Sequence, residues 1–181
     1  VNQPKQGRGL RKEQLCRGLC PWPFKFMVTP LRKLFRMLDT LETHMLQEVR
    51  SIPEVTRRLL ADGDDAVREI GEKLRSLDPQ IITTIARGSS DHAAAFLKYA
   101  IELTCNIPVA STGPSVGSVY NVPMKLTGAA TIAISQSGKS PDIVTMAETA
   151  KTGGSMVISL TNASDSALAK MSGNHFDIGA G

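Results

Sequence analysis

Serine, glycine and amide side chains are concentrated in two short segments, residues 87–90 and residues 135–140, which we call the first and the second serine loop. Hydroxyl and amide groups donate hydrogen bonds, and glycine lets backbone N–H groups turn towards a ligand. This chemistry binds a phosphate or another anion. Neither loop contains a general base or a metal ligand. The candidate binding residues of the two loops are Gly88, Ser89, Ser90, Ser135, Gln136, Ser137 and Ser140.

Each serine loop lies between a predicted strand and a predicted helix. Residues 80–86 and 129–134 are short, nearly continuous apolar runs rich in β-branched side chains, which is typical of strands buried on both faces. The stretches that follow the loops, residues 91–105 and 141–151, have the length and composition of helices. The sequence therefore predicts two strand–loop–helix units with the serine residues in the loops.

The second serine loop also carries the signals of a helix start. Pro141 suits the first helical position, which makes Ser140 the predicted N-cap. An anion bound by this loop would face the positive end of the helix dipole. For this loop alone, an ordinary strand-to-helix turn is an equally good interpretation, because serine and glycine are common in such turns. The repetition of the pattern in the first serine loop favours a binding role.

Further short apolar runs at residues 107–111, 155–160 and 175–178 also predict strands. Strands that alternate with helices indicate right-handed βαβ units. The predicted fold class is therefore α/β, a doubly wound parallel sheet with helices on both faces. Such sheets bind their ligands at the carboxyl ends of the strands, which is where both serine loops fall.

A helical segment is predicted before the sheet, over residues 37–78. Apolar residues recur there at helical spacing, and Pro53 predicts a break or kink at residues 51–53. A second helix is predicted over residues 64–77, with acidic residues at its start, where the helix dipole favours them.

Basic charge is concentrated in residues 1–36, which hold nine Lys and Arg against one Glu, whereas the rest of the chain holds twelve basic and sixteen acidic side chains. The pI of about 9.1 thus reflects this extension and gives no support for a nucleic acid partner. Four prolines and no sustained period predict a disordered extension. Three cysteines, no run of eighteen apolar residues and no signal peptide pattern predict a cytoplasmic protein without a membrane partner.

Two enzyme classes suggested by these residue types fit the sequence poorly. Residues 138–140 read Gly-Lys-Ser, as at the end of a nucleotide-binding P-loop, but the glycine required five residues earlier is Ala133. Residues 89–92 contain serine, aspartate and histidine, but near neighbours at a helix start cannot adopt the relay geometry of a hydrolase triad.

The charged residues beside the loops have more than one interpretation. Arg87 and Lys139 can each pair with a phosphate or lie in solvent, and the sequence does not separate these alternatives. Asp91 is expected to cap its helix. His44 and His92 are expected to be solvated or packed rather than catalytic.

The strings ARGSSDHA and SQSGKSPDI, at residues 86–93 and 135–143, resemble the sugar isomerase (SIS) domain family, as does MLQEVRSIPEV at residues 45–55. The resemblance covers about residues 37–181. It is closest to the isomerase half of glutamine:fructose-6-phosphate aminotransferases and to the glucosamine-6-phosphate deaminases that contain SIS domains. It implies the flavodoxin-like SIS fold, and nothing in the sequence requires a metal or an organic cofactor.

The resemblance also implies roles for individual residues. In that family the two loops bind the phosphate and hydroxyl groups of a hexose phosphate. Arg87 stands where the aminotransferases have a small residue or a cysteine, which is closer to the deaminase branch. Enzymes of the family are usually homodimers. By motif match, substrate binding falls on Ser89, Ser90, Ser135, Gln136, Ser137 and Ser140.

The expected organisation is a basic extension over residues 1–36, a helical segment over residues 37–78 and an SIS phosphosugar-binding domain over residues 79–181. The resemblance implies that the catalytic groups lie in a second SIS domain, and we expect this chain to end before that domain. We therefore expect a first SIS domain that binds glucosamine 6-phosphate or fructose 6-phosphate without turnover of its own. The alternative is a sugar-phosphate sensor that acts on a partner through its basic extension.

Overall fold

The computed structural model of the protein describes residues 43–180. The predicted extension and the first residues of the helical segment, residues 1–42, lie outside this range. The chain divides into the compact units Val1–Gln47 and Glu48–Gly181, and the sheet and both serine loops belong to the second. Among the helices of residues 43–180, none is both long and apolar enough to cross a membrane.

Two helices precede the sheet, α1 at His44–Asp62 and α2 at Asp64–Leu77. Of the predicted break or kink at residues 51–53, the break is wrong, because α1 continues through Pro53. Pro53 lacks the amide hydrogen that would bond to Val49 O in a helix, but both residues are exposed, so water can bond to that carbonyl. Proline on an exposed turn is therefore tolerated here.

Five parallel strands form one sheet in the order β2-β1-β3-β4-β5. The strands are β1 at Ile82–Ile85, β2 at Val109–Ser111, β3 at Ala130–Ile134, β4 at Met156–Thr161 and β5 at His175–Asp177. The helices between them are α3 at Ser89–Cys105, α4 at Ser115–Ser118, α5 at Pro141–Thr152 and α6 at Ala167–Ser172. The short helix α4 was not predicted, since four residues are too few to show a helical period.

Helices cover the sheet on both faces, which confirms the predicted doubly wound α/β fold. On one face Ile85 and Val157 pack in a core cluster with Met146 of α5 and Leu168 of α6. On the other face Ile82, Ile132 and Ile158 form a second cluster with Ala94 of α3, and Leu74 of α2 packs against it. These strands are nearly continuous apolar runs because neither face meets solvent.

Buried hydroxyl groups link the central strands of the sheet. Thr83 Oγ1 of β1 lies 2.8 Å from Thr131 Oγ1 of β3, and Thr131 Oγ1 lies 2.6 Å from Ser155 Oγ beside β4. Ser155 Oγ also donates to Ala129 O at 3.0 Å. Each polar side chain in this row therefore has a partner, as buried polar groups require.

The strand order reverses between β1 and β3, which lie side by side with Ile82 opposite Ala130 and Ile85 opposite Ala133. The chain leaves β1 towards β2 on one side and leaves β3 towards β4 on the other. A crevice opens at such a switch point, outside the carboxyl ends of the two strands, and ligands of these folds bind there. The two serine loops follow these two strands.

Candidate functional site

The first serine loop joins β1 to α3 in an open conformation. Gly88 is the N-cap of α3 with φ 58° and ψ −131°, a conformation that favours glycine, and a Cβ there would meet nothing within 4 Å. The helix begins with Ser89 and Ser90, so the expected capping role of Asp91 is wrong: Asp91 lies in the first turn and its N–H donates to Gly88 O at 3.1 Å. Within residues 43–180 neither serine hydroxyl has a hydrogen-bond partner.

The second serine loop is folded onto itself by hydrogen bonds. Ser135 is only 6% exposed, and its Oγ and its carbonyl oxygen both accept from the N–H of Gly138, at 3.3 and 3.2 Å. The Oγ of Ser137 accepts from the N–H of Lys139 at 3.3 Å. These bonds leave the side chains of Gln136 and Ser137 exposed at the rim of the loop.

Gly138 anchors the second serine loop to the segment after β4. Its φ is 60°, and a Cβ at this position would lie 2.3 Å from Ser166 Oγ and 3.1 Å from Thr161 Cγ2. The carbonyl of Gly138 accepts from the N–H of Leu168 in α6 at 3.1 Å. Glycine is thus required here both by the backbone angle and by the lack of space.

Asn162, which the sequence reasoning missed, supports the same loop. Its backbone N–H donates to Gln136 O at 2.9 Å, and its side-chain Oδ1 accepts from the N–H of Ala180 at 2.5 Å. Asn162 directly follows β4, which lies beside β3. The sequence could have indicated Asn162 by its position directly after a third predicted parallel strand, at the same edge of the sheet as both serine loops.

Ser140 occupies the predicted N-cap position of α5, and Pro141 is the first residue of the helix. The side chain of Ser140 is half-buried and makes no capping hydrogen bond. The hydroxyl can therefore donate to a ligand at the start of α5, where the backbone N–H groups of the first turn also point.

An ion pair between Arg87 and Asp142 links the first serine loop to the first turn of α5, which follows the second serine loop. Burial alone would raise the pKa of the Asp142 carboxyl, but the hydrogen bond and charge of Arg87, together with the backbone N–H groups of Ile143 and Asp142, outweigh it and lower the pKa. The sequence offered a phosphate or solvent as the surroundings of Arg87, and the structure instead pairs it with the carboxylate of Asp142. Lys139 is exposed.

The structure places all seven predicted binding residues on two loops that follow adjacent strands. The Arg87–Asp142 pair bridges the loops across the crevice at the switch point. Two cavities lie elsewhere, one of about 300 Å³ beside the outer side of α5 and one of about 230 Å³ beside Phe176. The serine loops line neither of them, so the candidate site is an open edge rather than one of these cavities.

Metal ligands do not converge in the part of the chain that the structure describes. Among residues 43–180 no three His, Cys, Asp or Glu side chains lie together as a metal site requires. The groups that do converge are hydroxyls, an amide and helix N–H groups, which suit the oxygen atoms of an anion or a sugar.

The family of the protein follows from its sequence together with this fold. Residues 78–181 match the family model of the SIS domain. The chain belongs to the SIS domain family. The resemblance that the two serine loops suggested is confirmed.

Several relatives of this chain are named as enzymes of sugar-phosphate chemistry. The glutamine–fructose-6-phosphate aminotransferase (isomerizing) of Chlamydia abortus is 35% identical over 133 residues, which are 70% of this chain and 21% of the relative. That of Sulfurisphaera tokodaii is 31% identical over 71% of this chain and 21% of its own length. The chain thus spans about a fifth of the length of these curated relatives.

Solved structures agree with the sequence relatives. A protein assigned as a phosphosugar isomerase from Silicibacter pomeroyi DSS-3 superposes with a TM-score of 0.74 at 47% identity, over 77% of this chain and 42% of that one. The C-terminal domain of glucosamine-fructose-6-phosphate aminotransferase from Francisella tularensis superposes with a TM-score of 0.67 at 25% identity, over 79% of this chain and 41% of that one. This SIS domain is therefore related to phosphosugar isomerases and to the isomerase domain of the aminotransferases.

Proposed function

We propose that the two serine loops bind a hexose phosphate, either glucosamine 6-phosphate or fructose 6-phosphate. The observation that carries this proposal is the convergence of two hydroxyl-rich helix starts, those of α3 and α5, at the switch point between β1 and β3. Each helix start presents N–H groups without helical partners, and the two positive dipole ends favour one shared anion.

The phosphate is proposed to bind at the second serine loop. That loop is held in shape by its own bonds and by Gly138, so its donors are already oriented before a ligand arrives. Ser137 and Ser140 supply hydroxyl groups, and Ser135, which is buried, shapes the turn and can still donate its own hydroxyl hydrogen. Lys139 adds a positive charge at the rim.

The sugar is proposed to contact Gln136 and the first serine loop. Gln136 is exposed, and the hydroxyl groups of Ser89 and Ser90 are unbonded within residues 43–180. Gly88 opens the path to these groups, since no atom lies within 4 Å of the space its side chain would take. Alcohol and amide groups can both donate and accept, which matches the hydroxyl groups of a hexose.

The activity proposed for this site is binding. Hydroxyl, amide and N–H groups do not titrate near neutral pH, so the seven residues provide no general acid or base. In an amino-sugar phosphate isomerase, aminotransferase or deaminase, these loops would hold the substrate and the acid–base groups would come from elsewhere. The named relatives support this class, and the proposed binding domain is residues 79–181 of a cytoplasmic, homodimeric enzyme.

A thermal unfolding experiment tests the proposal with glucosamine 6-phosphate, fructose 6-phosphate and unphosphorylated glucosamine. A ligand at about a hundred times its dissociation constant should add roughly 2.7 kcal/mol to the free energy of unfolding. Ser137→Ala should reduce this gain, whereas Ser76→Ala, at an exposed serine of α2, should not. The proposal is wrong if neither sugar phosphate stabilises the unaltered chain.

A further inference from the structure

A carboxylate of the protein already lies at the proposed phosphate site. Asp142 is the second residue of α5, two positions after Ser140, and its side chain is 21% exposed. The backbone N–H groups of Ile143 and Asp142 lie close enough to this carboxylate to help lower its pKa. Those N–H groups belong to the first helical turn, which is the part of α5 that would receive a bound anion.

Arg87 is the charged group that faces this carboxylate. It directly precedes Gly88 at the end of β1, and it reaches across the crevice to Asp142, 55 residues further along the chain. The guanidinium is 68% exposed, so solvent and salt can reach it from the side on which a ligand would enter.

The charges at this edge of the sheet determine how well it accepts a phosphate. An unpaired Asp142 would repel a phosphate dianion a few ångströms away, in a crevice where charges are less screened than in bulk water. With Arg87 in place the two charges cancel, and the helix dipoles and Lys139 leave the crevice positive. A direct contact of Arg87 with the ligand would also favour an anion, but it would not depend on Asp142.

We propose that Arg87 sets the affinity of the crevice for phosphate monoesters by neutralising Asp142, which acts as an internal anion at the start of α5. This inference rests on the proposed function. Arg87 is then a positioning and charge-compensating residue that acts through Asp142. With Asp142 neutralised, the start of α5 and Lys139 favour a dianionic phosphate ester over an uncharged sugar.

A double-mutant cycle on the full chain tests the inference, with isothermal titration calorimetry of glucosamine 6-phosphate. Arg87→Ala should weaken binding about tenfold, since it exposes the ligand to an unpaired carboxylate. Asp142→Asn should bind at least as tightly as the unaltered chain. The double variant Arg87→Ala with Asp142→Asn should return to within about threefold of the unaltered chain, because the repelling charge is gone.

Two further variants make the cycle specific. Arg87→Lys keeps the positive charge and should bind within about threefold of the unaltered chain, because charge is the property the proposal requires. It also serves if Arg87→Ala fails to fold, which circular dichroism would reveal. Lys73→Ala removes a cation that pairs with Glu69 on α2 at 2.7 Å, away from both loops, and should leave the affinity unchanged.

The outcomes separate this inference from the proposed function. A double variant as weak as Arg87→Ala would show that Arg87 contacts the ligand directly, and it would overturn the neutralisation. Equal affinities for all variants would show that the ion pair only joins the loops, and would also overturn it. An unaltered chain that binds neither glucosamine 6-phosphate nor fructose 6-phosphate would refute the proposed function itself, and the inference with it.

Discussion

In the second serine loop, Ser135 and Ser137 accept hydrogen bonds from the backbone of the loop, and Gly138 is packed against Ser166. In the first serine loop, the hydroxyl groups of Ser89 and Ser90 have no partner within residues 43–180, and Gly88 has open space beside it. The two loops thus share a composition and a place in the fold, and they differ in how firmly the rest of the domain holds them.

This difference shows that composition sets the chemistry of a loop while its neighbours set its rigidity. A preorganised group of donors binds a charged ligand without a further ordering cost, which suits the phosphate. The free hydroxyl groups of Ser89 and Ser90, at the start of α3, can rotate to match the pattern of sugar hydroxyls. We therefore expect substitutions in the second serine loop to lower the free energy of unfolding, and substitutions in the first serine loop to affect mainly ligand binding.

The largest difference in stability between the two loops is expected when a methyl group is added to each loop's glycine. Both Gly88 and Gly138 have positive φ, so alanine costs roughly 1–3 kcal/mol at either position. At Gly138 the new Cβ also meets Ser166, which should add about 1–3 kcal/mol of overpacking. Urea denaturation of Gly138→Ala and Gly88→Ala measures the difference, and equal losses would mean that the second loop is not anchored as described.

A smaller effect is expected from removing one hydroxyl group from each loop. Ser135→Ala takes away a buried acceptor of the Gly138 N–H and should reduce the free energy of unfolding by about 1 kcal/mol. Ser89→Ala removes an exposed hydroxyl and should change it by less than about 0.5 kcal/mol. Chemical denaturation in the absence of ligand measures both, and a reversed order would contradict the assignment of the rigid loop.

The smallest effect concerns the ion pair that joins the loops. The pKa of Asp142 in the folded chain is below its ordinary value of 3.8, so the stabilisation it contributes is present above about that pH and is lost as the pH falls through the lower, folded-state pKa. Arg87→Ala should therefore reduce stability at pH 7, by less than about 1 kcal/mol because Arg87 is largely exposed.

The pH dependence of that variant provides the measurement. The gap in urea midpoint between the unaltered chain and Arg87→Ala should narrow as the pH falls below the ordinary pKa of 3.8 and Asp142 becomes protonated. The same substitution in an Asp142→Asn background should leave no gap at any pH. A gap that persists in that background would assign the effect of Arg87 to contacts other than Asp142.

Much of this fold could be predicted because its local signals agree with its tertiary structure. The apolar runs that became β1, β3 and β4 are buried on both faces, so their composition matched their surroundings. Ser140 and Pro141 marked the start of α5 correctly. The serine loops could be placed at the carboxyl edge from the order of elements alone, without any coordinates.

The remaining features depend on contacts between distant parts of the chain. Arg87 contacts Asp142 because β1 and β3 are neighbours in the sheet. Asn162 contacts Gln136 because β3 and β4 are neighbours in the sheet. A pattern read along one segment cannot contain such partners, so these parts of the site emerged only from the structure.

The adjacency of β1 and β3 also has a consequence for how the chain folds. Thr83 and Thr131 touch across these strands although 48 residues separate them, so a long segment must close before the two strands can pair. Contacts of this separation form slowly and late. The two serine loops therefore come together only when β1 and β3 have paired. A sugar phosphate that binds both loops would stabilise chains in which this pairing has formed, at the expense of chains in which it has not.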